Sequence, residues 1–234
     1  MSAIAKKELR EYFFSPIGYV ILGVMLLLFG FFYSQVLFSQ TTDLIPYIYN
    51  MLLSWIMVIL IPLITMRTFS EEIRTKSDQG LLTAPVGVFS IVFGKFLAAF
   101  LMFAISLTAT LIPAVIITFF SSPDWPRILC TYIGVLLCGI ALIAIGVFIS
   151  SLTQSQIVAA IATFGISMLL MLIGNLGNNV SASLQNVLNW ISFQSRFQPF
   201  SNGILNIGSL VYFVSVAAVF LFLTARKLES RRWN

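Results

Sequence analysis

The chain has 234 residues, of which 59% are hydrophobic and only 9% are charged, with a formal net charge of +5. A soluble domain of this size cannot bury so much apolar surface, and a disordered chain would be far more polar. The composition therefore indicates an integral membrane protein, and the length fits a single membrane domain over residues 1–234.

The residue types also limit the chemistry. Histidine is absent, which excludes histidine-based acid–base catalysis and the usual zinc sites, and Cys130 and Cys138 are interpreted as buried small residues. The acidic residues all lie outside the long apolar runs, whereas ion-coupled carriers need carboxylates within the membrane. Six residues separate the glycines of Gly87–Lys95, so this segment does not match a phosphate-binding loop. Any energy source is therefore expected to lie outside this chain.

Residues 1–16 are predicted to form an amphipathic helix in the membrane interface. The basic residues of one arc are Lys6, Lys7 and Arg10, and the apolar residues of the opposite arc are Ala5, Leu9, Tyr12 and Phe13. Pro16 interrupts this pattern. The apolar run that follows is longer than the apolar part of a signal peptide, so it is predicted to be a retained span.

Six apolar runs of about the length that crosses a bilayer follow one another. They cover residues of about 17–38, 47–66, 91–120, 128–149, 157–173 and 210–225. The third run is long enough to tilt, and Pro113 is expected to kink it. Lys95, near the start of that run, is expected to extend its ammonium group to the lipid headgroups. Small residues in the fourth and fifth runs, such as Gly134, Gly146 and Gly165, indicate close helix packing.

The basic residues predict the orientation of the chain. With six spans, both termini lie on one side of the membrane, and eleven of the thirteen Lys and Arg residues fall on that side. Only Arg127 and Arg196 fall on the other side. The positive-inside rule therefore predicts that both termini are cytoplasmic. Because the basic residues flank spans, no nucleic-acid partner is needed to explain the charge.

The cytoplasmic segment 67–90 combines acidic and basic residues. Glu71 and Glu72 are followed by Arg74 and Lys76, which gives a short polar surface carrying both signs of charge. Orientation alone would need only the basic residues, because acidic residues contribute little to it. From the residues alone, a solvated loop and a docking helix for a cytoplasmic partner remain equal alternatives.

The outer segment 174–209 has a different character. Its apolar residues at helical spacing are Leu184, Val187, Leu188 and Ile191, and the polar residues opposite them are Gln185, Asn186 and Asn189. This pattern predicts a short surface helix or a re-entrant helix before the last span.

Several short strings in a fixed order resemble a known family. They are Met66-Arg67, Ser70-Glu71-Glu72, Lys76-Ser77-Asp78-Gln79, Leu81-Leu82-Thr83-Ala84-Pro85 and Gly94-Lys95-Phe96. Further strings are Phe14–Tyr19, Ser195-Arg196-Phe197 and Arg231-Arg232-Trp233. Their order and spacing resemble the ABC-2 type permeases, and most of all the bacterial permeases related to the gliding-motility ABC transporter subunit. The resemblance covers nearly the whole chain.

The resemblance implies an all-α, six-span membrane subunit of the ABC-2, type V exporter kind. Such a subunit pairs with a second copy or a related permease over two cytoplasmic ABC ATPase subunits, which bind ATP and Mg. It implies that the segment after the second span is the coupling helix. The residues of that contact would be Arg67, Glu71, Glu72, Arg74, Lys76, Asp78 and Gln79. A gliding-type accessory protein outside the cytoplasm and membrane lipid are further partners that it implies.

The predicted function is that of a transmembrane permease subunit in a bacterial cytoplasmic membrane. It would couple ATP hydrolysis by a separate ATPase to movement of a substrate, with export as the expected direction, and it would have no catalytic residues or cofactor of its own. Two alternatives remain open. The subunit could transmit force to an extracytoplasmic partner without transport, or it could be a channel or scaffold that works without an ATPase.

Overall fold

A computed structural model describes residues 2–14, 16–39, 57–76, 87–119, 124–176 and 182–233. Every regular element in these ranges is a helix, which confirms the all-α prediction. Residues 40–56, which contain the first half of the predicted second span 47–66, lie outside the described residues.

The described helices lie in a fixed order along the chain. In chain order they are α1 (Ser2–Phe14), α2 (Pro16–Ser39), α3 (57–65 in its described part), α4 (Ser70–Thr75), α5 (Val88–Ala109), α6 (Leu111–Ile117), α7 (Trp125–Leu152), α8 (Gln156–Leu176), α9 (Ala182–Ile191), α10 (Phe193–Ser201) and α11 (Ile207–Trp233).

Four helical segments of the described chain are long and apolar enough to cross a membrane: Val88–Ile116, Trp125–Leu152, Gln156–Gly174 and Ile207–Arg231. They overlap the predicted third to sixth spans. A fifth is reached if α1 and α2, which are bent by 68° relative to each other, count as one broken span. The described residues therefore support a multi-pass membrane protein with four or five candidate spans, and the full count of six stays a prediction.

α7 is the most deeply buried of the four segments, and its glycines allow other elements to approach closely. A Cβ added at Gly134 would lie 2.5 Å from the Cβ of Phe200, and one added at Gly146 would collide with Thr65. The expectation of close packing is therefore confirmed for these glycines. For Gly165 on α8 it is not borne out among the described residues, because none of them lies within 4 Å of an added Cβ there.

The third candidate span is interrupted where a kink is expected. α5 ends at Ala109, Thr110 forms a turn, and α6 begins at Leu111. Pro113 has no backbone N–H, so the carbonyl one turn earlier cannot receive the normal helical hydrogen bond. The break thus lies about one turn before the proline.

The outer segment contains two short helices, α9 and α10, where the sequence pattern predicts one. On α9, Val187 and Ile191 are exposed, as expected for an apolar face turned to lipid. α10 is packed against α7 instead, with Phe193, Phe197 and Phe200 fully buried. The hydroxyl of Thr131 on α7 lies 3.4 Å from the carbonyl oxygen of Phe200 and donates to it.

α4 and α10 mark opposite ends of the bundle. α4 contacts α7 at Ser150, whereas α10 contacts it at Thr131. Thr131 and Ser150 are nineteen positions apart, which is about 28 Å at the helical rise and close to the thickness of the hydrocarbon core. The α4 end is the one predicted to be cytoplasmic.

Candidate coupling site

α4 is a six-residue helix whose sequence, Ser-Glu-Glu-Ile-Arg-Thr, suits its short length. Glu71 and Glu72 lie in the first turn and Arg74 in the last turn, so that all three charges favour the helix dipole. The helix ends at Thr75, and the next residue, Lys76, adopts a left-handed backbone conformation with φ of 56°. α4 is thus a defined local structure within the polar segment that follows α3.

Ser150, near the end of α7, fixes the start of α4. Its hydroxyl oxygen accepts from the backbone N–H groups of Phe69 and Ser70, both at 3.1 Å. In return, the hydroxyl of Ser70 donates to the carbonyl oxygen of Ser150 at 3.1 Å. Ser70 and Ser150 are both buried. Because these bonds satisfy backbone donors that the helix start leaves free, they hold α4 to the end of α7.

A buried lysine joins α4 to two other helices. The Nζ atom of Lys95 on α5 lies 2.7 Å from Oε1 of Glu8 on α1 and 2.8 Å from Oε1 of Glu72 on α4. The side chain of Lys95 is only 2% exposed, and its ammonium group lies 5.3 Å from the ring centre of Phe69. The expectation that Lys95 reaches the headgroups is therefore wrong, since two carboxylates hold it inside the protein.

The cluster of Glu8, Lys95 and Glu72 contains two carboxylates and one ammonium group, so its formal charge is −1. Oε2 of Glu72 is buried and has no hydrogen-bond partner among the described residues. Burial raises the pKa of the Glu8 carboxyl above its usual range, although the neighbouring Lys95 counteracts this effect. Buried charges of this kind are stable only while they remain paired, so separation of α4 from α5 carries a large free-energy cost.

α1 is held beside this cluster by further contacts. The hydroxyl of Tyr12 donates to the carbonyl oxygen of Ile64 on α3 at 2.8 Å. Gly94 precedes Lys95, and a Cβ added there would lie 2.9 Å from Cγ2 of Ile4. The buried face of α1, which includes Ala5, Glu8 and Tyr12, therefore packs against protein.

Glu71 and Glu72, which the sequence analysis treats as one pair, have different surroundings. Glu71 lies at the surface, where its Oε2 accepts from Nε of Arg67 at 2.7 Å. The side chain of Glu71 is 36% exposed and that of Arg67 is 25% exposed. Glu72 turns inward to Lys95 and is 19% exposed. The two acids can therefore act separately, one at the surface and one within the bundle.

The other predicted contact residues follow Glu72 along the chain. Arg74 and Lys76 are exposed and, together with the exposed Thr75 between them, form the C-terminal end of α4. Asp78 and Gln79 lie outside the described residues. Within the described chain, the surface that α4 offers to a partner therefore consists of Glu71 and this exposed end.

A small cleft separates α1 from the segment before α4. It is lined by Glu8, Glu11, Tyr12, Arg67, Thr68 and Glu71, and its volume is about 50 Å³. A space of this size holds a few water molecules and no larger ligand.

Comparison with known protein families identifies the chain. A family model described as ABC-2 family transporter protein matches residues 32–226. The chain belongs to the ABC-2 transporter family. Glu72, Lys95 and Ser150 lie within the matched region of this ABC-2 protein, whereas Glu8 lies before it. A comparison with curated proteins gives no significant match.

Membership of the ABC-2 family supports several of the predictions at a general level. ABC-2 permease domains are membrane subunits without an ATPase site of their own, and they generally work with a cytoplasmic ABC ATPase. The chain is accordingly a membrane protein of the ABC-2 permease type. The contact role of the individual residues of α4 stays a prediction.

The sequence analysis did not assign Glu8 or Ser150 to this site, and it assigned Lys95 to the lipid headgroups instead of to Glu8 and Glu72. Lys95 lies 87 residues from Glu8 and 23 residues from Glu72, so no local spacing pairs them. The available signal was a lysine inside an apolar helix, which requires either a headgroup or a buried counter-ion. Nothing in the sequence around Ser150 indicates that this serine, near the end of α7, bonds to a distant segment.

Proposed function

We propose that the chain is the transmembrane permease subunit of an ABC transporter in a bacterial cytoplasmic membrane, with both termini in the cytoplasm. In this proposal two copies, or one copy and a related permease, assemble over two cytoplasmic ATPase subunits. ATP and Mg are bound by those ATPases. Hydrolysis drives movement of a substrate across the membrane, with export as the direction.

One observation carries this proposal: a short charged helix at one end of the bundle is fastened to several other helices. α4 is joined to α7 through Ser150, and to α5 and α1 through the Lys95 cluster. A force applied to its exposed end reaches those helices through buried contacts. A solvated loop that served only orientation would have no need of such contacts, so this arrangement favours the docking alternative.

The surroundings of the two acids suggest a division of roles. Glu71, Arg74 and Lys76 face outward and are proposed to contact the ATPase. Glu72 is proposed to act as a positioning residue, because its carboxylate transmits movement of α4 to Lys95. Arg67 supports Glu71 by their ion pair, and Asp78 and Gln79 are proposed to extend the contact.

The test separates binding from transmission. Complexes are purified from the native membrane through a tag on the permease, and the amount of ABC ATPase is measured by mass spectrometry. Glu71→Ala combined with Arg74→Ala is expected to lower ATPase recovery about tenfold, the effect of losing charged contacts at an interface. Glu72→Gln is expected to preserve recovery but to reduce the stimulation of ATP hydrolysis by the permease.

Glu229→Ala is the matched control. Glu229 is an exposed acid on the same predicted side, paired with Arg226 at 3.3 Å, and lies outside the coupling segment. It should alter neither recovery nor stimulation. Unchanged recovery and stimulation in all variants would show that α4 is not the coupling contact.

A further inference from the structure

A groove of about 490 Å³ lies at the end of the bundle opposite α4. The outer half of α11 forms one wall, from Gly208 to Phe220, and Trp190 and Arg196 stand at the mouth. Val211, Val216 and Val219 make the wall largely apolar, and among the described residues Arg196 is the only charged side chain that lines it.

Aromatic rings and one hydrogen bond hold Arg196 in place. Its guanidinium carbon lies 4.9 Å from the ring centre of Trp190 and 5.3 Å from that of Tyr212. Its Nε donates to the carbonyl oxygen of Trp190 at 3.3 Å. The Tyr212 ring is fixed in turn, because its hydroxyl donates to the carbonyl oxygen of Ile191 at 2.8 Å. The cation is therefore pre-positioned at the mouth of the groove.

Arg196 keeps unused binding capacity. A guanidinium group has five N–H donors, and the hydrogen bond to Trp190 uses one of them. Within the described ranges, no carboxylate lies at ion-pair distance from this guanidinium. Arg127, the other basic residue predicted on this side, differs because its Nε donates to the carbonyl oxygen of Ser201 at 2.9 Å and it does not line the groove. The guanidinium group of Arg196 can therefore bind an anion from outside the described chain.

The length of the groove indicates that the anion belongs to a molecule with a long apolar part. Gly208 and Phe220 are twelve residues apart on α11, which is about 18 Å at the helical rise. One leaflet contributes about 15 Å to the hydrocarbon core. The groove therefore has the depth of a leaflet, an apolar wall along that depth, and a cation with two aromatic rings at its outer end. Aromatic and basic side chains at this level are typical of contact with lipid headgroups.

We propose that this groove binds one phospholipid of the outer leaflet. Its phosphate lies on the guanidinium of Arg196, and one acyl chain lies along α11 between Val211 and Phe220. Phosphate suits this site because the planar guanidinium can donate two parallel hydrogen bonds to it. This binding is independent of the ATPase contact at the opposite end.

The test uses native mass spectrometry of the full chain released from detergent. Two lipids with the same acyl chains are titrated: phosphatidylglycerol, and diacylglycerol, which lacks the phosphate. One phosphatidylglycerol is expected to bind at least tenfold more tightly than diacylglycerol, as for a charge-assisted contact. Equal affinities for the two lipids would overturn the proposal, because they would mean that Arg196 does not bind the phosphate.

Two variants locate the site, and a third serves as control. Arg196→Gln is expected to weaken phosphatidylglycerol about tenfold while diacylglycerol is unchanged. Val216→Trp fills the groove and should weaken both lipids. Arg74→Gln removes an exposed charge at the opposite end and should weaken neither. Unchanged phosphatidylglycerol binding in Arg196→Gln and Val216→Trp contradicts the assignment. If Arg196→Gln does not fold, Val216→Trp and the comparison of the two lipids on the unaltered chain still decide.

A second copy of the chain is the competing occupant. Ser215 lines the groove, and the natural Cys130 and Cys138 are both buried. Ser215→Cys therefore places a single accessible thiol in the groove within the described chain. If oxidation in membranes joins two chains through this position, a second copy covers the groove and the lipid proposal is wrong. Absence of such a dimer is the expected result.

Discussion

Replacement of Lys95 by methionine is the most informative change to the Lys95 cluster. Methionine keeps most of the length and volume of the side chain but removes the ammonium group and its charge. Glu8 and Glu72 would then remain close together without Lys95 between them, and Oε2 of Glu72 already has no hydrogen-bond partner in the described part of the chain. Removal of one partner from a buried ion pair typically costs about 3–5 kcal/mol.

This loss is measurable as a shift in thermal stability. For a chain of this size, each kcal/mol corresponds to about 2–4 °C, so Lys95→Met is expected to lower the transition temperature by about 6–20 °C. The assay is thermal unfolding in detergent followed by tryptophan fluorescence. Lys7→Met is the matched control, because Lys7 pairs with Glu11 at 3.5 Å with both side chains largely exposed. Its expected cost is below about 1 kcal/mol.

A triple variant tests whether the unpaired charge is the cause. Glu8→Gln and Glu72→Gln, added to Lys95→Met, remove all three charges and should recover at least half of the lost stability. Buried ion pairs replaced by neutral groups are often tolerated, whereas broken ones are not. The reasoning is refuted if Lys95→Met behaves like Lys7→Met, or if the triple variant is no more stable than Lys95→Met alone.

Three further predictions concern topology, activity and assembly. A reporter fused after Asn234 should be active only in the cytoplasm, because eleven of the thirteen basic residues then lie inside; activity outside would contradict this. The purified chain should not hydrolyse ATP, since it has no phosphate-binding loop, and vanadate-sensitive turnover in a preparation free of ATPase subunits would disprove it. Native mass spectrometry of the intact complex should find two permease chains, counting a related permease, rather than one.

The elements that the sequence predicts best are those that the bilayer itself dictates. A span needs about twenty apolar residues with internally bonded backbone, so the third to sixth runs could be recognised without tertiary information. A docking helix at the position of α4 is one of two alternatives that the sequence offers, because the acidic residues there are not needed for membrane orientation. Each of these patterns is local and can be read from neighbouring residues.

The features that were missed depend on contacts between distant segments. The partners of Lys95 come from α1 and α4. A lysine near the end of a span can either contact lipid headgroups or pair with a buried carboxylate, and the neighbouring residues in the sequence do not distinguish these two arrangements. The sequence pattern does not predict α10 as a separate helix. Its apolar residues Phe193, Phe197 and Phe200 lie on one face, and the polar residues between them lower the average hydrophobicity of the segment. That spacing was visible, but only the close approach of Phe200 to Gly134 on α7 shows why the helix is held there.

The central claim is that the exposed end of α4 contacts an ABC ATPase. The most direct measurement places a photo-reactive amino acid at Thr75, the exposed last residue of α4. After illumination of native membranes, the adducts are purified and identified by mass spectrometry, with the same label at exposed Val214 on α11 as control. An ABC ATPase attached at position 75 and absent at position 214 is the predicted result. Adducts at position 75 that contain only lipid, or a protein other than an ATPase, would contradict the claim.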